Sequence, residues 1–254
     1  MNLNIRQDYI LEKLKDSKSI QVTEVMKHFN VSDMTVRRDL DSLEKAGLLV
    51  RKFGQALLPE QKNQLFTFDE KLYLNKPSKV SICKTAAKEI QENDVIFIDS
   101  GTTLFYLVHE ISRFNHIRVV TNSLPVASFL SPFKKINLTI IGGEYDSERK
   151  ALFGSLSIHM IRKFHCQKAF IGSDGISIAH GLSSFHEKEA EVSRHMMDAT
   201  ENVFVLADST KIEKDAFIKF APLHKISAII TDKGIPNEIS EKYTQNGINI
   251  KYGE

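Results

Sequence analysis

The sequence predicts a small helical domain closed by a β-hairpin, followed by a larger α/β domain built on a mostly parallel sheet. Three observations lead there. Residues 1–56 hold three short helix-patterned segments and a basic, glycine-containing hairpin. From residue 79 onward, short β-branched runs alternate with helical segments to the end of the chain. Between them, residues 57–78 are polar and carry Pro59 and Pro77, as a linker containing a short helix would. The chain of 254 residues is long enough for one large or two small domains, and its 42% hydrophobic and 26% charged residues exclude a wholly disordered polymer. The longest apolar runs are only a few residues and the first residues have no signal-peptide core. Two cysteines cannot form a disulfide framework, and a reduced, cytoplasmic compartment is expected. A net charge of +2 does not announce nucleic acid, so any such case rests on where the charges lie.

A first helix is expected over about residues 4–16, with Ile10, Leu11 and Leu14 at helical spacing. A second follows Thr23 as N-cap, buries Val25, Met26 and Phe29, and ends at Asn30. The third starts at the N-cap Ser32 and runs to about Ala46, with Gly47 as its stop. The Asn30–Val31 corner makes residues 20–39 a helix-turn-helix, whose second helix can enter a major groove. At 100° per residue, Val36, Leu40 and Leu43 form one apolar stripe. Met34 and Arg38 lie nearly opposite, with Thr35 and Arg37 on the flanks. Arginine can pair bidentately with guanine, and the methyl groups of Thr or Met can meet that of thymine. Ser32 and the helix N-terminus suit a phosphate. Two adjacent arginines alone would be an ordinary solvated face. The tight turn before them and the hairpin LLVRKFGQA after them give them another meaning, because Arg51 and Lys52 then form the basic tip of a wing turned at Gly54.

In the second region the apolar runs end in small polar clusters: DSGTT after VIFI, TNS after IRVV, GGE after LTII, GSDG after AFI, ADSTK after VFVL and TDKG after SAII, with INIKY closing the chain. In parallel sheets, ligands bind at the carboxyl ends of the strands, where these clusters fall. The cluster Asp99, Ser100, Gly101, Thr102, Thr103 opens a helix. Its free N–H groups and hydroxyls form an anion site with phosphate as the natural occupant, and Gly101 admits close backbone approach. Asn122 is expected beside that loop and Gly143 on the next strand end, with Asp174 and the Asp208-x-x-Lys211 pair on further strand ends and Glu189 at the start of a helix. Walker and dinucleotide fingerprints are missing, and none of the nine histidines has zinc-site spacing, so no cofactor and no metal is expected. Cys83 is placed in the core of a helix, and Arg149 and Lys150 are read as solvated loop charges.

Residues 22–56 resemble the DNA-binding segment of the DeoR family of bacterial transcription regulators. Val31, Ser32, Thr35, Val36, Arg37, Arg38, Asp39 and Leu40 match the family's core pattern, Leu43, Glu44 and Gly47 its continuation, and Arg51, Gly54 and Ala56 its wing. Gln55 stands where the family usually has a second glycine. The resemblance extends over the second region through Asp99–Thr103, Thr121–Ser123, Ile141–Gly143, Gly172–Gly175, Gly181–Ser183, Glu189–Ala190, Leu206–Lys211 and Thr231–Asp232. Ser193 stands where relatives often carry lysine. The resemblance implies a winged helix-turn-helix followed by an effector domain similar in fold to ribose-5-phosphate isomerase. Its partners would be double-stranded operator DNA, a phosphorylated sugar effector and further copies of itself in a dimer or tetramer. The expected function is repression of a carbohydrate-utilisation operon, with no enzymatic activity. Two rivals stay open on the sequence: a sugar-phosphate isomerase or deaminase with an appended DNA-binding module, and a metabolite-binding protein whose wing has lost DNA.

Overall fold

A computed structural model describes residues 5–17, 19–46, 48–52, 55–57 and 67–254. It divides into two compact units, Met1–Phe66 and Thr67–Glu254.

The first unit contains α1 (Ile5–Ser17), β1 (Ser19–Gln21), α2 (Val22–Phe29), α3 (Asp33–Lys45), β2 (Val50–Lys52) and β3 (Gln55–Leu57). Asn30 closes α2 in the left-handed conformation (φ 52°), which asparagine tolerates, and its N–H donates to the Met26 carbonyl. Ser32 caps α3, its Oγ accepting from the Thr35 N–H at 3.3 Å. Ile10, Leu14, Val25, Val36, Leu40 and Leu43 close one core, as their spacing predicts. Two details differ. The second helix starts at Val22, so Thr23 lies inside it rather than capping it. The hairpin is also not alone: β1 pairs antiparallel with β3, giving the order β1-β3-β2. Gly47 and Gly54, the expected helix stop and wing turn, lie outside the described residues, as do residues 58–66 of the expected linker.

The second unit begins earlier than expected, because residues 67–78 belong to it. Its elements are α4 (Phe68–Leu72), α5 (Lys76–Ala87), β4 (Val95–Ile98), α6 (Thr102–Ile111), β5 (Arg118–Thr121), α7 (Leu124–Leu130), β6 (Asn137–Ile140), β7 (Glu144–Asp146), β8 (Ala151–Phe153), α8 (Ser155–Ile161), β9 (Cys166–Ile171), β10 (Gly175–Ser177), β11 (Gly181–Ser184), α9 (Glu187–Asp198), β12 (Thr200–Leu206), β13 (Ile218–Ala221), β14 (Ala228–Thr231), α10 (Asn237–Gln245) and β15 (Ile250–Tyr252). Seven strands form one parallel sheet in the order β15-β14-β12-β9-β4-β5-β6. They are the seven apolar runs of the sequence.

Both faces of the sheet are covered. Ile96, Ile98, Phe170, Phe204 and Leu206 pack with Ile82, Cys83, Leu104 and Leu107 of α5 and α6. The alternate residues Phe97, Ala169, Ile171, Val203 and Val205 pack with Ile158, Val192, Met196 and Tyr243 of α8, α9 and α10. This period of two with both faces apolar is why the strands read as unbroken β-branched runs. Each fully buried aliphatic side chain contributes about 1.5–3 kcal/mol. After β4 the chain moves outward through β5 and β6, then returns to place β9 on the other side of β4. The crevice between the carboxyl ends of β4 and β9 is therefore a topological switch point, where open α/β sheets take ligands. Two antiparallel additions were not expected: the hairpin β7–β8 and the three-stranded sheet β10-β11-β13.

Candidate functional site

A pocket opens at that switch point. Its lining includes Asp99, Ser100, Gly101, Thr102 and Thr103 from the end of β4 and the start of α6, Asp174 after β9, Glu189 on α9, and Lys211 after β12. Eight of the ten effector residues expected from sequence are thus together. Gly101 and Gly172 face each other across the two strand ends, a Cβ on either lying 3.9 Å from the other's Cα. That close approach lets the two loops share one cavity.

Buried Asp99 holds the loops in register. It accepts from the Ser100 N–H at 2.7 Å, the Gly172 N–H at 3.3 Å and Ser193 Oγ at 2.7 Å, while burial raises its pKa. Asp99 is therefore a brace for the two loops as much as a wall of the pocket. Ser193, the departure from the family pattern, supplies one of its donors.

Charge in the pocket is dense. Asp174 Oδ1 accepts from Lys71 Nζ at 3.1 Å and from Lys211 Nζ at 3.3 Å, and its Oδ2 accepts from Ser184 Oγ and the Phe185 N–H, both at 3.2 Å. Burial alone would raise the Asp174 pKa, but the two ammonium groups outweigh it and hold the carboxyl well below its ordinary range. Lys211 is raised because Asp174 and Asp208 outweigh its desolvation, whereas desolvation wins at Lys71 and lowers it. Glu189 is pushed up to about 7 by burial and by neighbouring Asp174. Arg149 is buried against it, with Nε 3.6 Å from Glu189 Oε1 and a guanidinium nitrogen bonded to His186. Behind the α6 N-terminus, buried Lys79 donates to Thr102 Oγ1 at 3.0 Å and to the Lys71 carbonyl at 2.6 Å. Burial, reinforced by Lys211, lowers Lys79 to about 7. Three cations, Lys71, Arg149 and Lys211, line the pocket together with the N–H groups of a helix start. Such a site can receive a small anion, and its carboxylates can accept from hydroxyl groups on the rest of the same molecule.

Two expected residues lie elsewhere. Asn122 Nδ2 donates to the Leu152 carbonyl at 3.1 Å, and the Asn122 backbone carbonyl accepts from the Leu152 N–H at 2.9 Å, while its buried Oδ1 has no partner among the described residues. The β7–β8 hairpin thereby covers the end of β5, held there by the Asn122 backbone and Nδ2. Gly143 packs against α8, where an added Cβ would fall well inside contact with Ser157 Oγ and the Phe153 carbonyl. Asp208 is an N-cap, accepting from the Thr210 N–H at 3.1 Å, and Lys211 pairs with Asp174 instead of with it. Arg149 is not a solvated loop charge; Lys150, beside it, pairs with Asp69 at 2.7 Å. Phe68 and Lys71 fall within the stretch whose composition predicts a linker, and no motif in the sequence marks Lys79. The polar stretch that holds α4 has no periodic signal, although the capping box of Thr67 and Glu70 was legible there. Cys83 is buried as expected, its Sγ donating to the Thr103 carbonyl at 3.1 Å. Among the described residues there is no cluster of metal-ligating side chains, and no helix is long and apolar enough to cross a membrane.

In the first unit, α3 presents Met34 (65% exposed), Arg37 and Arg38 outward, with Ser32 and Thr35 at its start. Arg37 Nε pairs with Asp33 at 2.5 Å on the surface, a contact of little energy that can be exchanged for a nucleic-acid partner. Asp39 is buried instead, and Arg6 of α1 pairs with it at 2.6 Å. Arg51 is engaged by α3: its N–H donates to Glu44 Oε1 at 2.9 Å and its guanidinium pairs with Asp41. The side chain of Lys52 lies outside the described residues.

Residues 6–62 match the model of the DeoR-like helix-turn-helix domain, and residues 74–233 that of the DeoR C terminal sensor domain. The lactose phosphotransferase system repressor of Lactococcus lactis is 36% identical, over 96% of this chain and 97% of its own length. The transcriptional repressor GlcR of Bacillus subtilis is 31% identical over 95% and 93%, and a putative aga operon transcriptional repressor of Escherichia coli O157:H7 is 29% identical over 96% and 92%. Among solved structures, ribose 5-phosphate isomerase A of Methanocaldococcus jannaschii aligns over 54% of this chain and 55% of its own, at 15% identity and a TM-score of 0.41. With a helix-turn-helix in front and a sensor domain behind, and with relatives matched end to end, the chain belongs to the DeoR family of DNA-binding transcription regulators.

Proposed function

We propose that this regulator is a repressor of a carbohydrate-utilisation operon and that a phosphorylated sugar, bound in the pocket of the second unit, sets its affinity for operator DNA. The observation that carries the reading is the convergence of the α6 N-terminus with Lys71, Arg149 and Lys211 in one cavity that also holds carboxylates. The N–H groups at Gly101–Thr103 and the cations take the phosphate, and Asp174 and Glu189 take sugar hydroxyls. Met34, Thr35, Arg37 and Arg38 face the DNA from α3 and Ser32 from its N-cap, and the wing adds the positive charge of Lys52 and of Arg51 once it leaves Asp41. The relatives' names, which describe operon regulators and a phosphotransferase-system repressor, support regulation over turnover. Such a protein works in the cytoplasm, as a dimer or tetramer, because one recognition helix reads only a few base pairs.

An inducer must bind the DNA-free form more tightly, and the coupling is reciprocal. Calorimetric titration with hexose 6-phosphates, pentose 5-phosphates and the matching free sugars tests the pocket. The expected result is binding of at least one phosphorylated sugar with its free counterpart at least about tenfold weaker, a difference of ~1.4 kcal/mol. Equal affinities for both forms would contradict it.

A further inference from the structure

We propose that α4 is the element through which pocket occupancy is reported, and that Lys71 is the side chain that reports it. The inference rests on the anion-binding reading above. Phe68–Leu72 is the first described element of the second unit, following directly on the segment that leads from the first. Two of its five side chains, Phe68 and Lys71, line the pocket. Buried Phe68 meets Phe105 of α6 edge to face and Leu72 packs on the core, while the polar anchors run to the pocket wall and to its neighbours. Lys71 Nζ donates to Asp174 at 3.1 Å, Lys79 joins the Lys71 carbonyl at 2.6 Å to Thr102 at 3.0 Å, and Tyr106 of α6 donates to the Leu72 carbonyl at 3.0 Å. The Phe68 N–H donates to the Glu148 carbonyl at 2.7 Å. One ammonium thus ties the end of α4 to the start of the anion-binding helix.

Lys71 and Lys211 share Asp174 Oδ1, but they differ in what they are attached to. Lys211 stands on a short turn after β12, fixed at the sheet. Lys71 stands on five residues of helix held by the contacts above. An anion at the α6 N-terminus competes with Asp174 for both ammonium groups. Drawing Lys211 across changes a rotamer, whereas drawing Lys71 across moves α4 and the chain that enters it. A ligand shifts a two-state element only through differential contacts, and Lys71 supplies one.

Hydrogen–deuterium exchange and DNA titration test this. The probes are inorganic phosphate and the tightest-binding hexose 6-phosphate. In the parent protein, both the peptide over residues 67–74 and that over 99–106 are expected to change exchange rate on adding the probe. A responding 99–106 beside a silent 67–74 overturns the inference alone. Silence in both overturns the anion site, and the inference with it. For DNA, the readout is the ratio of affinities without and with saturating probe. Lys71→Met is expected to bring that ratio to within about twofold of one. Lys211→Met is expected to weaken probe binding while keeping the parent's ratio at saturation, and Lys71→Arg to restore most of it. An unchanged ratio in Lys71→Met, or an equal loss in Lys211→Met, overturns the assignment.

Discussion

Replacing Asp174 by asparagine isolates the charge that holds the pocket together. The substitution keeps the shape and leaves an oxygen to accept from Ser184 Oγ and the Phe185 N–H, each now 3.2 Å from Oδ2. It places an amide NH2 where Oδ1 now meets Lys71 and Lys211 at 3.1 and 3.3 Å, donor against donor. All three side chains are shielded, with 9% of Asp174, 15% of Lys71 and 18% of Lys211 accessible, so solvent does little to compensate. Removing one partner of a buried pair costs about 3–5 kcal/mol. For a unit of this size that is a fall of about 6–20 °C in the melting temperature, at ~2–4 °C per kcal/mol. Urea and thermal denaturation followed by circular dichroism at neutral pH measure it. Sulfate supplies the sharper readout. The two ammonium groups, having lost the carboxylate they share, bind the anion more tightly, and ligand at a hundred times Kd adds about 2.7 kcal/mol. Sulfate at fixed ionic strength is therefore expected to stabilise Asp174→Asn more than the parent. A loss below about 1 kcal/mol, or an identical response to sulfate in the two proteins, would refute the reasoning.

Three further outcomes are expected. Sulfate binding weakens by about tenfold, ~1.4 kcal/mol, from pH 6 to pH 8. Glu189, raised to about 7, gains negative charge across that interval, and Lys79, lowered to about 7, loses positive charge, while sulfate stays a dianion. Titration calorimetry in both buffers checks this, Glu189→Gln should remove part of the slope, and an affinity that is flat or rises with pH would be incompatible with it. Arg37→Ala and Arg38→Ala are each expected to cost about 1–3 kcal/mol in DNA affinity and to leave sugar-phosphate affinity within twofold; gel shifts that match the parent for both would remove α3 from the DNA interface. Gly143→Ala is expected to destabilise the second unit by about 1–3 kcal/mol through overpacking against Ser157 and Phe153, without altering the anion pocket; a melting temperature equal to the parent's would show that the close packing there yields freely.

The framework was legible because it follows from local patterns. Continuous apolar runs named all seven strands of the parallel sheet, and the small polar residues after them marked where the cavity opens. The helix-turn-helix was legible in the N-cap at Ser32 and the stripe Val36, Leu40, Leu43. What escaped depends on contacts distant in sequence. Lys71 meets Asp174 across 103 residues, and Arg149 is buried only because α9 brings Glu189 to it. Asn122 and Gly143 carry the same strand-end signature as the true lining residues. The β7–β8 hairpin, too short for any period to show, takes them up as its own supports. A three-residue strand such as β1 likewise offers one inward side chain, Ile20, and no alternation to detect.

The central claim is that a small phosphorylated molecule controls a DNA contact made by the same chain. Fluorescence anisotropy of a labelled duplex from the promoter region of its own gene, titrated with the full-length protein, measures this directly. Binding is expected to weaken as salt rises and to change several-fold when a hexose or pentose phosphate, but not the free sugar, is added. An affinity indifferent to every phosphorylated sugar, or no binding even in dilute buffer, would contradict it.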